Sequence, residues 1–129
     1  MKILIVDDSA FARELIRNEL LGLGFGEKEI TIADSGASAI RKISIEAYDL
    51  FLVDLVMPGI DGVRVAREIR QGQPNARVVI CSGKLNPETH QVLNLMGVHD
   101  FLEKPFTQEQ FRQAIVQNIA SVYASSGRG

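Results

Sequence analysis

Residues 50–54 read LFLVD: four apolar side chains in an unbroken row, closed by an acid. A strand with one wet face alternates apolar and polar residues. A continuous run of this length fits a strand covered on both faces, as in a parallel sheet. Similar runs recur on either side of it: KILIV (2–6), EITIA (29–33), RVVIC (77–81) and VHDFLE (98–103). Three of the five are continuously apolar, with little period-2 pattern.

Between these runs the period changes to that of a helix. Ala12, Leu15, Ile16, Leu20 and Leu23 recur at helical spacing, and Gly22 and Gly24 mark the stop. A second helix starts near Ser35 and carries Ala39, Ile40 and Ile43. A third starts near Asp61, with Val65, Ala66 and Ile69 inward. Asn86 and Pro87 read as a cap and first helical residue, and Gly97 as a helix stop. Thr107 and Gln110 form a capping-box pattern ahead of Phe111, Ile115, Ile119 and Val122. Phe11, Phe25 and Phe111 read as core. Five strands alternating with five helices predict an α/β fold with a parallel sheet and right-handed crossovers.

At 129 residues the chain is the size of one domain. Leu, Ile, Val and Phe make up about a third of it, enough for a real core. A net charge of −2 argues against a general affinity for nucleic acid or an acidic membrane surface. Cys81 is the single cysteine, which excludes an intrachain disulfide. The longest apolar runs have four residues, whereas a membrane span needs about 20. The opening MKILIVDD lacks the long apolar stretch of a signal peptide, so a cytoplasmic protein without membrane insertion is expected. The final SSGRG has neither period nor bulk. We therefore expect a domain over 1–122 and a flexible tail or linker start over 123–129.

In open parallel sheets, ligands sit beyond the carboxyl ends of the strands. The residues predicted there are Asp7 and Asp8 after the first strand, Asp54 after the third, Ser82 near the end of the fourth, and Lys104, followed by Pro105, after the fifth. Three clustered carboxylates repel one another, and a divalent cation relieves that repulsion. Oxygen donors without Cys or His suit a hard ion such as Mg²⁺. Lys104 adds a positive charge and Ser82 a hydrogen-bond donor, the groups a phosphoryl group needs. A carboxylate can attack phosphorus and become an aspartyl phosphate.

The stretches ILIVDDS (3–9), LFLVDLVMPGIDG (50–62), ICSG (80–83) and FLEKPF (101–106) together resemble the receiver domain of two-component response regulators, the CheY-like group. The likeness covers about residues 2–122. It implies a flavodoxin-like, doubly wound sheet in the order 2-1-3-4-5. It also implies that Asp54 is the phosphoacceptor, that Asp8 binds Mg²⁺ directly and Asp7 through water, and that the Val56 carbonyl completes the protein's share of the metal shell. Ser82 and Lys104 would each bind a phosphoryl oxygen, and the peptide bond before Pro105 would be cis. The phosphodonor would be a phosphohistidine on a sensor histidine kinase or phosphotransfer protein. The receiver would catalyse both the transfer and the later hydrolysis. Phosphorylation would draw Ser82 inward and leave room for Phe101 to rotate. Many members have Tyr at that position, and the Phe here lacks the hydroxyl. Val56 and Lys84 would tune dephosphorylation. A downstream protein would dock on the face built by the fourth helix, fifth strand and fifth helix, including Lys84, His90, Asn94, His99 and Phe101.

Plainer roles compete for each residue. Asp7 and Asp8 could be turn or cap residues. Asp61 and Gly62 read as cap and turn. His90 and His99 lack metal-pair spacing and read as surface, Cys81 as inert packing, and Arg64, Arg67 and Arg70 as a solvated basic face. At the level of function, a degenerate, phosphorylation-independent interaction module is countered by the full set of five site residues. A haloacid-dehalogenase-type phosphatase would need DxDxT where this chain has DDSAF. A flavin carrier would need a Ser/Thr/Gly-rich loop where the acidic doublet stands. At this length no output domain is expected. That favours a stand-alone regulator, the alternative being a receiver cut from a larger regulator or hybrid kinase.

Overall fold

The computed structural model describes residues 1–83 and 85–125, with side chains through Ala120. The elements alternate strictly: β1 (Ile3–Val6), α1 (Ala10–Gly22), a 3₁₀ turn (Glu27–Glu29), β2 (Ile30–Ala33), α2 (Gly36–Ile45), β3 (Leu50–Val53), α3 (Gly62–Gly72), β4 (Arg77–Ser82), α4 (Pro87–Leu95), β5 (Asp100–Glu103) and α5 (Gln108–Ser125). All strands pair in parallel, in the order β2-β1-β3-β4-β5. This is the α/β, flavodoxin-like arrangement expected from the alternation and the resemblance. Helix α5 runs through the first residues of the expected tail; residues 126–129 lie outside the described part, as does the Val122 side chain.

The continuous apolar runs split between two cores because successive strand residues point to opposite faces. Leu4, Val6, Phe51, Val53, Val78 and Ile80 pack under α2, α3 and α4. Ile3, Ile5, Leu50, Leu52, Val79 and Cys81 pack under α1 and α5. Each such side chain contributes about 1.5–3 kcal/mol by leaving water, which is what holds helices to both sides. The helix starts follow the sequence signals. Ser35 Oγ, Asp61 Oδ1 and Asn86 Oδ1 accept from the backbone N–H of Ser38, Arg64 and Thr89, at 3.0, 3.0 and 2.7 Å. Thr107 and Gln110 exchange both bonds of the capping box, at 2.9 and 3.0 Å.

Two glycines close helices in the left-handed region. Gly24 (φ 103°) follows α1, and Gly97 (φ 86°) follows α4. After Gly97 the Val98 N–H returns to the Leu93 carbonyl at 2.9 Å, as in a Schellman ending. That bond holds Val98 in the α4 terminus, so β5 begins at Asp100, two residues later than the apolar run suggests.

Two expectations about α1 are corrected. Phe11 is not core: it is 80% exposed. Leu15, four residues on and on the same side, is also exposed. The buried stripe is Ile16 and Leu20, and a 100° turn per residue carries Phe11 to the far side of the helix from Leu20. Phe25 and Phe111 do join the core beneath α1 and α5.

Candidate functional site

Parallel register brings the strand ends together. Val6 pairs with Val53 and Val53 with Ile80, so Asp7 and Asp54 emerge side by side, one residue beyond a matched pair. Ser82 pairs with Glu103, which places Lys104 at the same edge. The backbone continues the ladder there: Asp54 N–H bonds the Val6 carbonyl (2.9 Å), and Lys104 N–H bonds the Ser82 carbonyl (2.7 Å). The edge lies at the point where β1 separates β2 from β3, the switch point of the sheet order.

Every strand-end residue singled out in the sequence meets here. Ser82 Oγ donates to Asp54 Oδ1 at 3.2 Å, within a buried pair. The Val56 N–H reaches the same oxygen at 3.4 Å. Lys104 Nζ donates to Asp7 Oδ2 at 2.7 Å and lies 3.8 Å from Asp54 Oδ2. Asp7 Oδ1 accepts the Ser9 N–H at 2.9 Å. Asp7 is buried, whereas Asp8, its chain neighbour, faces solvent. Oxygens of Asp7, Asp8 and Asp54 all lie within 4.8 Å of one another. The capping role for α1 falls to Ser9, whose Oγ accepts from Ala12 N–H at 3.2 Å.

The charges explain the titration behaviour. Burial pushes the Asp54 carboxyl above the usual aspartate range; the Lys104 ammonium opposes this and the Asp7 charge adds to it. Burial alone would lower Lys104, but its hydrogen bond to Asp7 and the charges of Asp7 and Asp54 outweigh that, and its pKa rises. Beneath the site, burial drives the Cys81 thiol up to about 12, which makes it inert packing.

A three-carboxylate cluster of hard oxygen donors, one of them open to water, fits an octahedral, water-retaining ion such as Mg²⁺. The backbone close to Asp54 is tightly packed. A Cβ on Gly62 would come within 2.2 Å of the Asp54 carbonyl oxygen, so only glycine fits at the start of α3. Val56, two residues after Asp54, is 75% exposed. Lys84 lies outside the described residues. The Lys104–Pro105 peptide bond is cis.

Phe101 is half-buried, and its ring meets the His90 ring edge-on, with centroids 4.3 Å apart. The two rings flank a cavity of about 480 Å³ that also reaches Ser82 and Leu85. His90 is thus exposed but engaged with Phe101, and His99 Nδ1 lies 2.8 Å from Asn94 Oδ1.

Two arginines escape the sequence reading. Arg70 is not part of a merely solvated face: it bonds the carbonyls of Met96 (3.1 Å) and Pro74 (2.7 Å), tying α3 to the end of α4. Arg13 Nη1 donates to the Asp7 main-chain carbonyl at 2.9 Å. Main-chain targets leave no residue signature. The only signal for Arg13 is its place one turn into the helix that follows the acidic doublet.

The doubly wound sheet defines a fold also seen in solved structures. The receiver domain of NtrX from Brucella abortus superimposes with a TM-score of 0.82 at 30% identity, over 92% of this chain and 98% of that one. The family model described as the response regulator receiver domain matches residues 3–116, and the chain belongs to that family, a signalling receiver of two-component systems. It is 35% identical to the chemotaxis protein CheY of Bacillus subtilis, over 92% of this chain and 97% of that protein. It is also 38% identical to protein-glutamate methylesterase/protein-glutamine glutaminase 5 of Myxococcus xanthus, over 98% of this chain but only 37% of that protein.

Proposed function

We propose that Asp54 accepts a phosphoryl group from a phosphohistidine of a sensor histidine kinase or phosphotransfer protein, and that the domain itself promotes the transfer. One observation carries this reading. The buried Asp54 carboxylate sits beside a hydroxyl donor at 3.2 Å, an ammonium at 3.8 Å and two further carboxylates able to share a cation. An Asp54 oxygen bonds to phosphorus as the phosphorus–nitrogen bond breaks, and the electron pair leaves with the imidazole. Water later attacks phosphorus, releasing inorganic phosphate and the carboxylate. Lys104 neutralises charge on one phosphoryl oxygen and Ser82 donates to another. Asp8 and Asp54, the Val56 carbonyl and, through water, Asp7 would hold Mg²⁺. Bound there, Mg²⁺ supplies positive charge against the phosphoryl oxygens.

The same reading assigns Phe101 and Ser82 to the switch. Ser82 moves toward the new phosphoryl group, and Phe101 turns into the cavity beside it, changing the α4–β5–α5 face that meets a downstream protein. Val56 and Lys84 set access for the hydrolytic water. Among the described residues no helix is long and apolar enough to cross a membrane. We place the protein in the cytoplasm, without direct nucleic-acid contact. The domain spans about 1–122, with α5 itself continuing to Ser125. The near full-length match to CheY supports a stand-alone regulator, and the partial match to the methylesterase supports the alternative of a receiver within a larger protein.

The test is incubation with acetyl phosphate and Mg²⁺, read by intact mass. A single added phosphoryl that needs Mg²⁺ and is absent from Asp54→Asn is the expected result. No addition to the wild type, nor Mg²⁺-dependent beryllofluoride binding, under conditions that label a known receiver, would instead identify a phosphorylation-independent interaction module.

A further inference from the structure

We propose that Arg13 is a positioning residue for the cation site: its bond to the Asp7 main-chain carbonyl orients Asp8. This inference rests on the reading that Asp8 is a direct Mg²⁺ ligand.

The geometry isolates Asp8. Asp7 is held at its N–H by the Ala33 carbonyl (3.2 Å), at Oδ1 by Ser9 and at Oδ2 by Lys104. Asp8 is exposed, so packing does little to hold its side chain. What aims it is the peptide plane that joins it to Asp7, and the oxygen of that plane is the one Arg13 grips at 2.9 Å. Arg13 is itself anchored, because its N–H closes the first turn of α1 on the Ser9 carbonyl at 3.0 Å. The span from Asp7 through Ser9 is therefore cross-braced by the helix it leads into. Without the guanidinium, the Asp7–Asp8 peptide can rotate, and Asp8 leaves the position where its oxygen lies within 4.8 Å of the others. Partners that orient a ligand from behind typically contribute 10–100-fold to metal affinity.

The sign of the effect separates this role from a simple charge effect. A cation close to three carboxylates repels Mg²⁺, so its removal should tighten binding if charge were all that mattered. A positioning role predicts the reverse. The experiment is a MgCl₂ titration followed by amide NMR shifts of wild type, Arg13→Ala, Arg13→Lys and Asp8→Asn, with thermal midpoints measured alongside. We expect Arg13→Ala to bind about 10-fold more weakly, with the largest amide changes at Asp8 and Ser9. Arg13→Lys, which keeps a donor, should recover part of the loss, and it also serves as the readout if the alanine variant fails to fold. Unchanged or tighter binding in folded Arg13 variants overturns the proposal. If wild type binds no Mg²⁺, or Asp8→Asn binds as well as wild type, the cation-site reading itself fails and the proposal falls with it.

Discussion

Lys104 Nζ stands 2.7 Å from Asp7 Oδ2, joining residues 97 positions apart in the chain. The carboxylate is almost wholly buried and the ammonium only partly exposed, so the pair compensates a charge that water cannot reach. Removing one partner from such a pair leaves an uncompensated charge, which is costly. Lys104→Met should therefore destabilise the protein by about 2 kcal/mol, discounted for the lysine's exposure. Urea unfolding with and without MgCl₂ checks this. The cation should restore much of the loss, and equal midpoints for variant and wild type would contradict the assignment.

Asp54 sits where burial and the Asp7 charge disfavour its ionised form. Its folded pKa lies above the unfolded value of 3.8. Stability from this group is thus present below that value and lost as pH rises through the folded pKa. Asp54→Asn should be more stable than wild type at pH 7 by about 1 kcal/mol in metal-free buffer, and the gap should close on acidification. Thermal melts between pH 7 and pH 4.5 test it. A gap that widens toward acid would reverse the argument.

Gly62 packs against main-chain atoms that cannot give way. Its Cβ would lie 2.2 Å from the Asp54 oxygen and 2.6 Å from Leu55 Cα. Gly62→Ala should cost about 3 kcal/mol and also slow labelling by acetyl phosphate, because the backbone that must move carries Asp54. Gly22 meets nothing within 4 Å and serves as the control: Gly22→Ala should be neutral or mildly stabilising.

Cys81 lies near the carboxyl end of β4, buried, with its thiol pushed up to about 12 by that burial. The native protein should show no thiol reactive toward a disulfide reagent at pH 8, and one thiol per chain in denaturant. Rapid reaction of the native protein would mean that β4 opens far more readily than its packing suggests.

Much of this was legible in the sequence because parallel strands are covered on both faces. Burial on both faces demands unbroken apolar runs, and an acid or hydroxyl directly after such a run can only stand at the sheet's edge. LFLVD and ILIVDD therefore carried both the fold class and the positions of Asp7, Asp8 and Asp54. The caps at Ser35, Asp61, Asn86 and Thr107 were equally readable, since each satisfies a backbone donor three residues away.

The rest depended on contacts between distant segments. Which of two adjacent aspartates is buried follows from the pleat of β1 and the reach of Lys104, not from residue type. Phe11 is apolar and near the core in sequence, yet helical phase turns it to solvent. Arg70 reads as surface charge and Arg13 draws no reading at all, because their partners are carbonyl oxygens, which every residue carries and no sequence marks. The need for glycine at position 62 arose only when α3 came to rest on the backbone of Asp54. Local composition determined the strands, the caps and the kinds of group at the sheet edge; close packing between segments decided how those groups are aimed.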